Sequence, residues 1–260
     1  MRILLSNDDG VEAPGLRALA EALSPLGEVI VCAPDREQSA SSHSISLHRP
    51  LRIDQVPSWP RPDGTGEIVR YCVDGTPTDA VYLAVNHLLK GSPPDLVASG
   101  INRGGNLAQD VHYSGTVAAA REGALLGFPA IAFSLTGRGQ FDYSHAASFA
   151  HALVAQVAKR GLARGNLLNI NVPGGVPQGV RATRLGRRTY SAAVVQKVDP
   201  RGRPYYWIGG DEQAHEKVPG SDCDAVYDDR CISVTPLHLD LTKEALVEEI
   251  ASWDLPGMKG

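Results

Sequence analysis

Two adjacent carboxylates, Asp8 and Asp9, directly follow a short apolar run at residues 3–5. A run of this length that ends in turn residues is typical of a buried strand, and ligands bind at the carboxyl ends of the strands in open parallel sheets. The two negative charges repel each other unless a proton or a cation lies between them. Carboxylate oxygens suit hard divalent ions such as Mg²⁺ or Mn²⁺. The alternative is a turn in which Asp8 and Asp9 only shape the loop.

A second chemical feature is the run Ser114, Gly115, Thr116, which with Val117 precedes helix-forming residues 118–126. The run therefore lies at the N-terminus of a predicted helix, where free N–H groups and the helix dipole favour an anion. The two hydroxyl groups add hydrogen-bond donors. The alternative is that Ser114 or Thr116 only caps the helix.

Two further loops follow predicted strands and bring oxygen atoms to the same edge of the sheet. A hydroxyl-rich loop at residues 37–44 contains Ser39, and Asn102 follows a predicted strand at residues 95–99. Carboxylates and neutral oxygens beside an anion site describe a Mg²⁺ or Mn²⁺ site for phosphoryl chemistry. A flexible serine linker is the alternative interpretation of residues 37–44.

Other phosphate-binding motifs are absent from the sequence. It has no Gly-x-x-x-x-Gly-Lys-Ser/Thr, which argues against a P-loop NTPase, and no Gly-x-Gly-x-x-Gly after the first strand, which argues against a dinucleotide site. The first strand end also lacks the Asp-x-Asp of haloacid-dehalogenase-type phosphatases. The adjacent Arg187 and Arg188 are either a phosphate-attracting pair or solvated surface charge.

The elements that must position these residues alternate between strands and helices. Further strands are predicted at residues 28–33, 95–99, 129–135 and 167–172, the last of which we expect to close the core sheet, and helical patterns begin near residues 16, 77, 117 and 143. This alternation predicts an α/β fold, Rossmann-like, with a mostly parallel sheet sandwiched by helices. A β-hairpin is expected within residues 48–70.

The pattern changes after residue 179. Short strand-like runs and a final helical pattern at residues 243–250 predict a β-rich C-terminal extension with a terminal helix. We therefore divide the chain into a core, residues 1–179, and an extension, residues 180–260. Aromatic residues 205–207 are either an oligomer contact or part of a small satellite core.

Composition excludes several classes of protein. The 260 residues are 43% hydrophobic and 21% charged, with a net charge of −4, so no general positive field attracts nucleic acid. No apolar stretch has the length of a membrane span or a signal-peptide core. The four cysteines have no zinc-site spacing. We expect a cytoplasmic protein without membrane or specific nucleic-acid partners.

Seven ordered motifs together resemble the SurE family of stationary-phase survival proteins, which are metal-dependent 5′-nucleotidases. They are the segments 3–10, 33–36 with Ser39, 75–79, 99–102, 113–120, 169–173 and 233–237. The resemblance implies that Asp8, Asp9, Ser39 and Asn102 hold one divalent metal ion per subunit. It also implies nucleoside 5′-monophosphate substrates, with 3′-nucleotides and short polyphosphate cleaved by some members, and a homodimer or homotetramer. Ala40 stands where many members have glycine.

The function predicted from these features is phosphate monoester hydrolysis by an activated water. Asp8 or Asp9 orients or deprotonates the water, and direct attack by an aspartate is the less favoured variant. The phosphate oxygens are expected to bind the residues Asn7, Ser39, Asn102, Ser114, Gly115 and Thr116. The competing hypothesis is a metal-dependent protein that binds and senses a nucleotide without turnover.

Overall fold

Six parallel strands form the centre of a nine-stranded sheet in the computed structural model, which describes residues 1–137, 139–189, 194–208 and 214–257. The strands of this sheet are β1 (Arg2–Ser6), β2 (Glu28–Pro34), β3 (Ile53–Pro60), β4 (Glu67–Val73), β5 (Leu96–Arg103), β6 (Ala130–Leu135), β7 (Asn166–Val172), β8 (Val180–Ala182) and β13 (Ile232–His238). Shorter strands between β8 and β13 form two ribbons, β9 (Arg188–Thr189) with β12 (Ala214–His215) and β10 (Val194–Val198) with β11 (Pro204–Ile208).

The strand order is β3-β4-β2-β1-β5-β6-β7-β13-β8. From β1 the chain builds the sheet towards β2 and β4, and it then returns to β5 on the other side of β1 and continues to β6 and β7. All neighbours from β4 to β7 are parallel. The boundary between β1 and β5 is therefore the point where the order reverses, which is where open α/β sheets bind ligands.

Helices cover both faces of the sheet. They are α1 (Pro14–Leu23), α2 (Pro77–Leu83), α3 (Gly115–Leu125) and α4 (Ser144–Arg160), whereas the last helix, α5 (Glu244–Ala251), has no buried residue. Ile3 and Leu5 point to one face and pack in the cluster that holds the buried residues of α1 and α4, whereas Leu4 points to the other face with α2 and α3. This alternation on a strand buried on both faces confirms the Rossmann-like prediction.

Local sequence signals account for two of these elements. Thr76 and Asp79 form a capping box at the start of α2, with Pro77 at its first position. The hairpin expected within residues 48–70 is formed by β3 and β4, which pair antiparallel. Within the described ranges, no helix combines the length and the apolar character that crossing a membrane requires.

The expectation that residues 167–172 close the core sheet is wrong. β13 pairs antiparallel with β7 along its length, with Val234 opposite Ile170, and β8 pairs beyond β13. The unpaired backbone of a buried β7 would be costly, and this later segment satisfies it. The division of the chain at residue 179 stays a prediction, although two strands of the later segment join the main sheet.

Candidate metal and phosphate site

The predicted metal ligands meet at the carboxyl ends of β1 and β5. Asp8 and Asp9 follow β1, and Asn102 lies near the end of β5, which extends beyond the predicted residue 99 to Arg103. These three residues line a cavity of about 860 Å³ together with Ser39 and Ser114. The structure therefore brings the four predicted ligands to one cavity at the reversal point of the strand order.

Asp8 is the most deeply placed carboxylate of this group. Its side chain is only 6% exposed, and its Oδ1 accepts a hydrogen bond from the Thr116 hydroxyl. Burial raises the pKa of Asp8 to about 6, against the lowering effect of the Thr116 hydrogen bond and with a contribution from the negative charge of Asp9. The negative charge of Asp8 is therefore costly unless a cation compensates it.

Asp9 and Asn102 are fixed by the last residue of β5 and the residue that follows it. Asp9 Oδ2 accepts a hydrogen bond from the Arg103 backbone N–H at 3.2 Å, and burial raises the pKa of Asp9. Asn102 Nδ2 donates to the Gly104 carbonyl at 2.9 Å. This bond uses the amide nitrogen of Asn102, so the amide oxygen is the atom that can coordinate a cation.

The loop that carries Ser39 is ordered by contacts with the rest of the site. The Gln38 N–H donates to the Asp8 carbonyl at 2.7 Å, and the Ser42 N–H donates to the Tyr113 carbonyl at 3.0 Å. A freely mobile serine linker would make neither contact. The structure therefore favours the ordered loop over the linker interpretation.

Ser39 itself is exposed, and its hydroxyl donates to Glu37 Oε1 at 2.5 Å. The next residue, Ala40, has a φ of 56°, in the left-handed region that favours glycine. Glycine would adopt this conformation without the steric cost that the Cβ of Ala40 adds.

The three residues at the start of α3 have three different contacts. Ser114 caps the helix, because its hydroxyl accepts from the Val117 N–H at 3.0 Å, and it also lines the cavity. A Cβ added to Gly115 would lie 2.7 Å from the Asp8 Cβ, so the close approach requires glycine. Thr116 is buried and binds Asp8. Ser114 thus lines the cavity, whereas Gly115 and Thr116 contact Asp8.

Asn7 does not line the cavity. It is 1% exposed, and its Nδ2 donates to the Gly10 carbonyl at 2.9 Å, which shapes the turn after Asp9. The predicted contacts of Asn7, Gly115 and Thr116 with phosphate oxygens stay predictions.

Asn106 lines the cavity and was given no role from sequence. Its carbonyl accepts from Asn169 Nδ2 at 2.8 Å and from Asn171 Nδ2 at 3.1 Å, and its N–H donates to Asn171 Oδ1 at 2.8 Å. Two buried amides of β7 therefore hold the loop after β5. The alternation of Asn169 and Asn171 on one strand face is the signal that could have indicated this support.

The part of the cavity lining that comes from outside the strand ends and the start of α3, called the far wall below, was largely missed from sequence. Arg188 is 6% exposed, pairs with Asp110 Oδ2 and has its guanidinium carbon 6.0 Å from the centre of the Tyr227 ring. All three residues line the cavity. Of the two arginines considered from sequence, Arg188 is the buried cavity residue and Arg187 lies at the surface.

A second group with metal-ligand chemistry lies behind Tyr227. His215 Nε2 is 3.5 Å from Asp224 Oδ1 and 3.3 Å from Asp228 Oδ2, and Lys217 Nζ is 2.7 Å from the same Asp228 oxygen. Since Lys217 already compensates Asp228, we interpret this group as an ion-pair network that holds the turn of residues 224–228.

Comparisons with known proteins identify the family of the chain. A family model described as "Survival protein SurE" matches residues 3–192. The chain is 57% identical to the 5′-nucleotidase SurE of Myxococcus xanthus (strain DK1622), over 98% of this chain and 94% of that protein. It is 58% identical to the 5′-nucleotidase SurE of Anaeromyxobacter dehalogenans (strain 2CP-C), over 99% and 97%. The crystal structure of the SurE protein from Aquifex aeolicus is similar with a TM-score of 0.82 and 40% identity, covering 96% of this chain and 98% of that one. These matches confirm the resemblance indicated by the motifs.

Proposed function

Since the chain belongs to the SurE family, we propose that it is a metal-dependent 5′-nucleotidase that hydrolyses nucleoside 5′-monophosphates to nucleoside and phosphate. The observation that carries the proposal is the pair Asp8 and Asp9 at the reversal point of the sheet, beside the capped N-terminus of α3. A carboxylate pair binds a divalent cation, and a helix N-terminus binds a phosphate.

One Mg²⁺ or Mn²⁺ ion per subunit would be held by Asp8, Asp9, Ser39 and Asn102. The donor set fits, because all four side chains offer oxygen atoms and burial already disfavours a bare charge on Asp8. When bound, the ion polarises a phosphate oxygen and compensates the negative charge that develops in the transition state.

Groups of the protein itself perform the remaining steps. The Ser114 hydroxyl and the backbone N–H groups of Gly115 and Thr116 bind the phosphate oxygens, with Asn7 as a further predicted contact. Asp9 is the more exposed carboxylate, so it is our candidate to orient and deprotonate the attacking water. Thr116 holds the carboxylate of Asp8 in place.

Phosphate release tests the proposal. The panel contains 5′- and 3′-nucleoside monophosphates and short polyphosphate, each with Mn²⁺, Mg²⁺ or chelator, for the wild type and Asp8→Asn. We expect metal-dependent release that is highest with 5′-nucleotides and is lost in Asp8→Asn. Binding of nucleotides without any release would contradict the proposal in favour of a sensing protein.

We also propose a homodimer or homotetramer, with the hairpin of β10 and β11 as a contact. Large apolar side chains on this hairpin are exposed, among them Val195, Tyr206 and Trp207. Such surfaces mark interaction sites. Light scattering of the wild type should give two or four chains, and Trp207→Ser should lower that number. A wild-type monomer would contradict this.

The cytoplasm is the proposed compartment. The four cysteines, which all lie in described ranges, are free thiols, and a reducing compartment keeps thiols free. Fractionation of cells that produce the protein tests this assignment.

A further inference from the structure

The cavity is larger than its carboxylate wall needs. Its volume of about 860 Å³ far exceeds that of a phosphate group, and it extends from Asp8 to residues contributed by the segment after residue 179. The far wall carries Arg188 and Tyr227, which belong to no strand end of the parallel core. A site for phosphate alone would have no use for this second wall.

Tyr227 is an exposed aromatic side chain in a polar cavity. It remains 40% exposed although it lines the cavity, so part of its ring faces solvent. Exposed rings in clefts with convergent polar groups are typical of ligand contacts. A flat ring of this kind binds a nucleobase by stacking, and it does so for any base because every base has a π-face.

The position of the Tyr227 ring is fixed from behind. Its centre lies 5.6 Å from the centre of the His215 ring, and His215 also contacts Asp224 and Asp228, which flank Tyr227 in the same turn. The guanidinium carbon of Arg188, which pairs with Asp110, lies 6.0 Å from the centre of the same ring. The ring is therefore presented before a ligand arrives, which lowers the entropic cost of stacking.

We infer that Tyr227 is the nucleobase-stacking residue of the cavity, and that it makes the enzyme prefer nucleotides over sugar phosphates that lack a base. The inference rests on the proposed nucleotidase function and adds the substrate feature that the far wall recognises. Tyr113, the other exposed tyrosine of the cavity among the described residues, directly precedes Ser114 and so lies at the phosphate end.

The test compares adenosine 5′-monophosphate with ribose 5-phosphate, which has the same sugar and phosphate but no base. The readout is the ratio of kcat/KM for the two substrates in the presence of Mn²⁺. Tyr227→Ala should lower this ratio about tenfold, chiefly through a higher KM for the nucleotide. Tyr227→Phe keeps the ring and should keep the ratio. Tyr82→Ala, which removes an exposed tyrosine of α2 outside the cavity, is the matched control.

Two results would overturn the inference. In the first, the ratio stays at the wild-type value in Tyr227→Ala, either with unchanged activity or with an equal loss for both substrates, which indicates a structural role. In the second, Tyr113→Ala lowers the ratio and Tyr227→Ala does not. If the wild type hydrolyses neither substrate, the proposed function fails. Calorimetric Kd values of the two phosphates for the wild type and Tyr227→Ala then decide the stacking role, which still requires an about tenfold loss of the nucleotide preference.

Discussion

The two walls of the cavity are built in different ways. The carboxylate wall consists of residues at the carboxyl ends of β1 and β5 and of the start of α3, so the buried sheet positions it. The far wall consists of Arg188 and Tyr227, which short segments carry and which the Asp110 pair and the His215 network hold in place. We infer from this difference that the two walls have different functions. The core positions the groups that act on the phosphate, and the side-chain pairs of the far wall determine which group attached to the phosphate is bound.

The largest effect on activity is expected from a substitution in the carboxylate wall. Asp8→Asn keeps the shape of the side chain and the oxygen that accepts from Thr116, but it removes the charge that would hold a cation. We expect kcat/KM for a 5′-nucleotide to fall by about three to four orders of magnitude. Asp35→Asn, which neutralises an exposed carboxylate after β2, is the control and should retain activity. Equal activity of both variants would remove Asp8 from the reaction.

The next largest effect is expected from a substitution in the far wall that leaves Asp8 and Asp9 unchanged. Asp110→Ala removes the carboxylate that pairs with the buried Arg188, and we expect the free energy of unfolding to fall by roughly 3 kcal/mol. Urea unfolding measures this loss. The control is Asp229→Ala, which removes an exposed pair with Arg181 and should cost under about 1 kcal/mol. Similar losses in the two variants would show that the Asp110 pair is not part of a fixed wall.

The carboxylate wall also predicts a pH dependence of stability, because the negative charge of Asp8 has no compensating cation in the metal-free protein, whereas Arg188 compensates Asp110 in the far wall. The pKa of the Asp8 carboxyl is about 6 in the folded protein, against an ordinary value of 3.8 that we take for the unfolded chain. The folded protein therefore binds the carboxyl proton of Asp8 more tightly than the unfolded chain does. The contribution of Asp8 to stability is thus full below pH 3.8 and is lost as the pH rises past 6, by about 3 kcal/mol in metal-free protein.

Urea unfolding in chelator between pH 4 and 7.5 checks this dependence. The stability of the wild type should fall relative to Asp8→Asn as the pH rises, and Mn²⁺ should restore it at pH 7.5. Parallel stability curves for the wild type and Asp8→Asn would contradict the raised pKa.

The smallest effect concerns the loop that brings Ser39 to the carboxylate wall. Ala40 has a left-handed φ of 56°, so Ala40→Gly should remove backbone strain and stabilise the protein by up to about 1 kcal/mol. Ala152→Gly, at an exposed right-handed position of α4, should instead destabilise it by about 1 kcal/mol. Urea unfolding of both variants compares the two. Changes of the same sign would mean that Ala40 is not strained.

The same contrast explains what could be predicted from the sequence. Asp8, Asp9 and Asn102 were predictable because strand ends can be read from short apolar runs and because parallel strands share one edge. The contact between Arg188 and Asp110 joins residues 78 positions apart, and the placement of β13 beside β7 depends on a long-range choice of partner. No local periodicity encodes either, so Tyr227 was missed and the sheet was expected to end two strands too early.

Anomalous diffraction from crystals soaked in Mn²⁺ is the most direct test of the central claim, because it locates the ion between the two candidate groups of ligands. We predict one anomalous peak per chain, within coordination distance of Asp8, Asp9, Ser39 and Asn102. A peak at His215, Asp224 and Asp228 with none at Asp8 would contradict the account, since the cation would then lie behind the far wall instead of at the carboxylate wall.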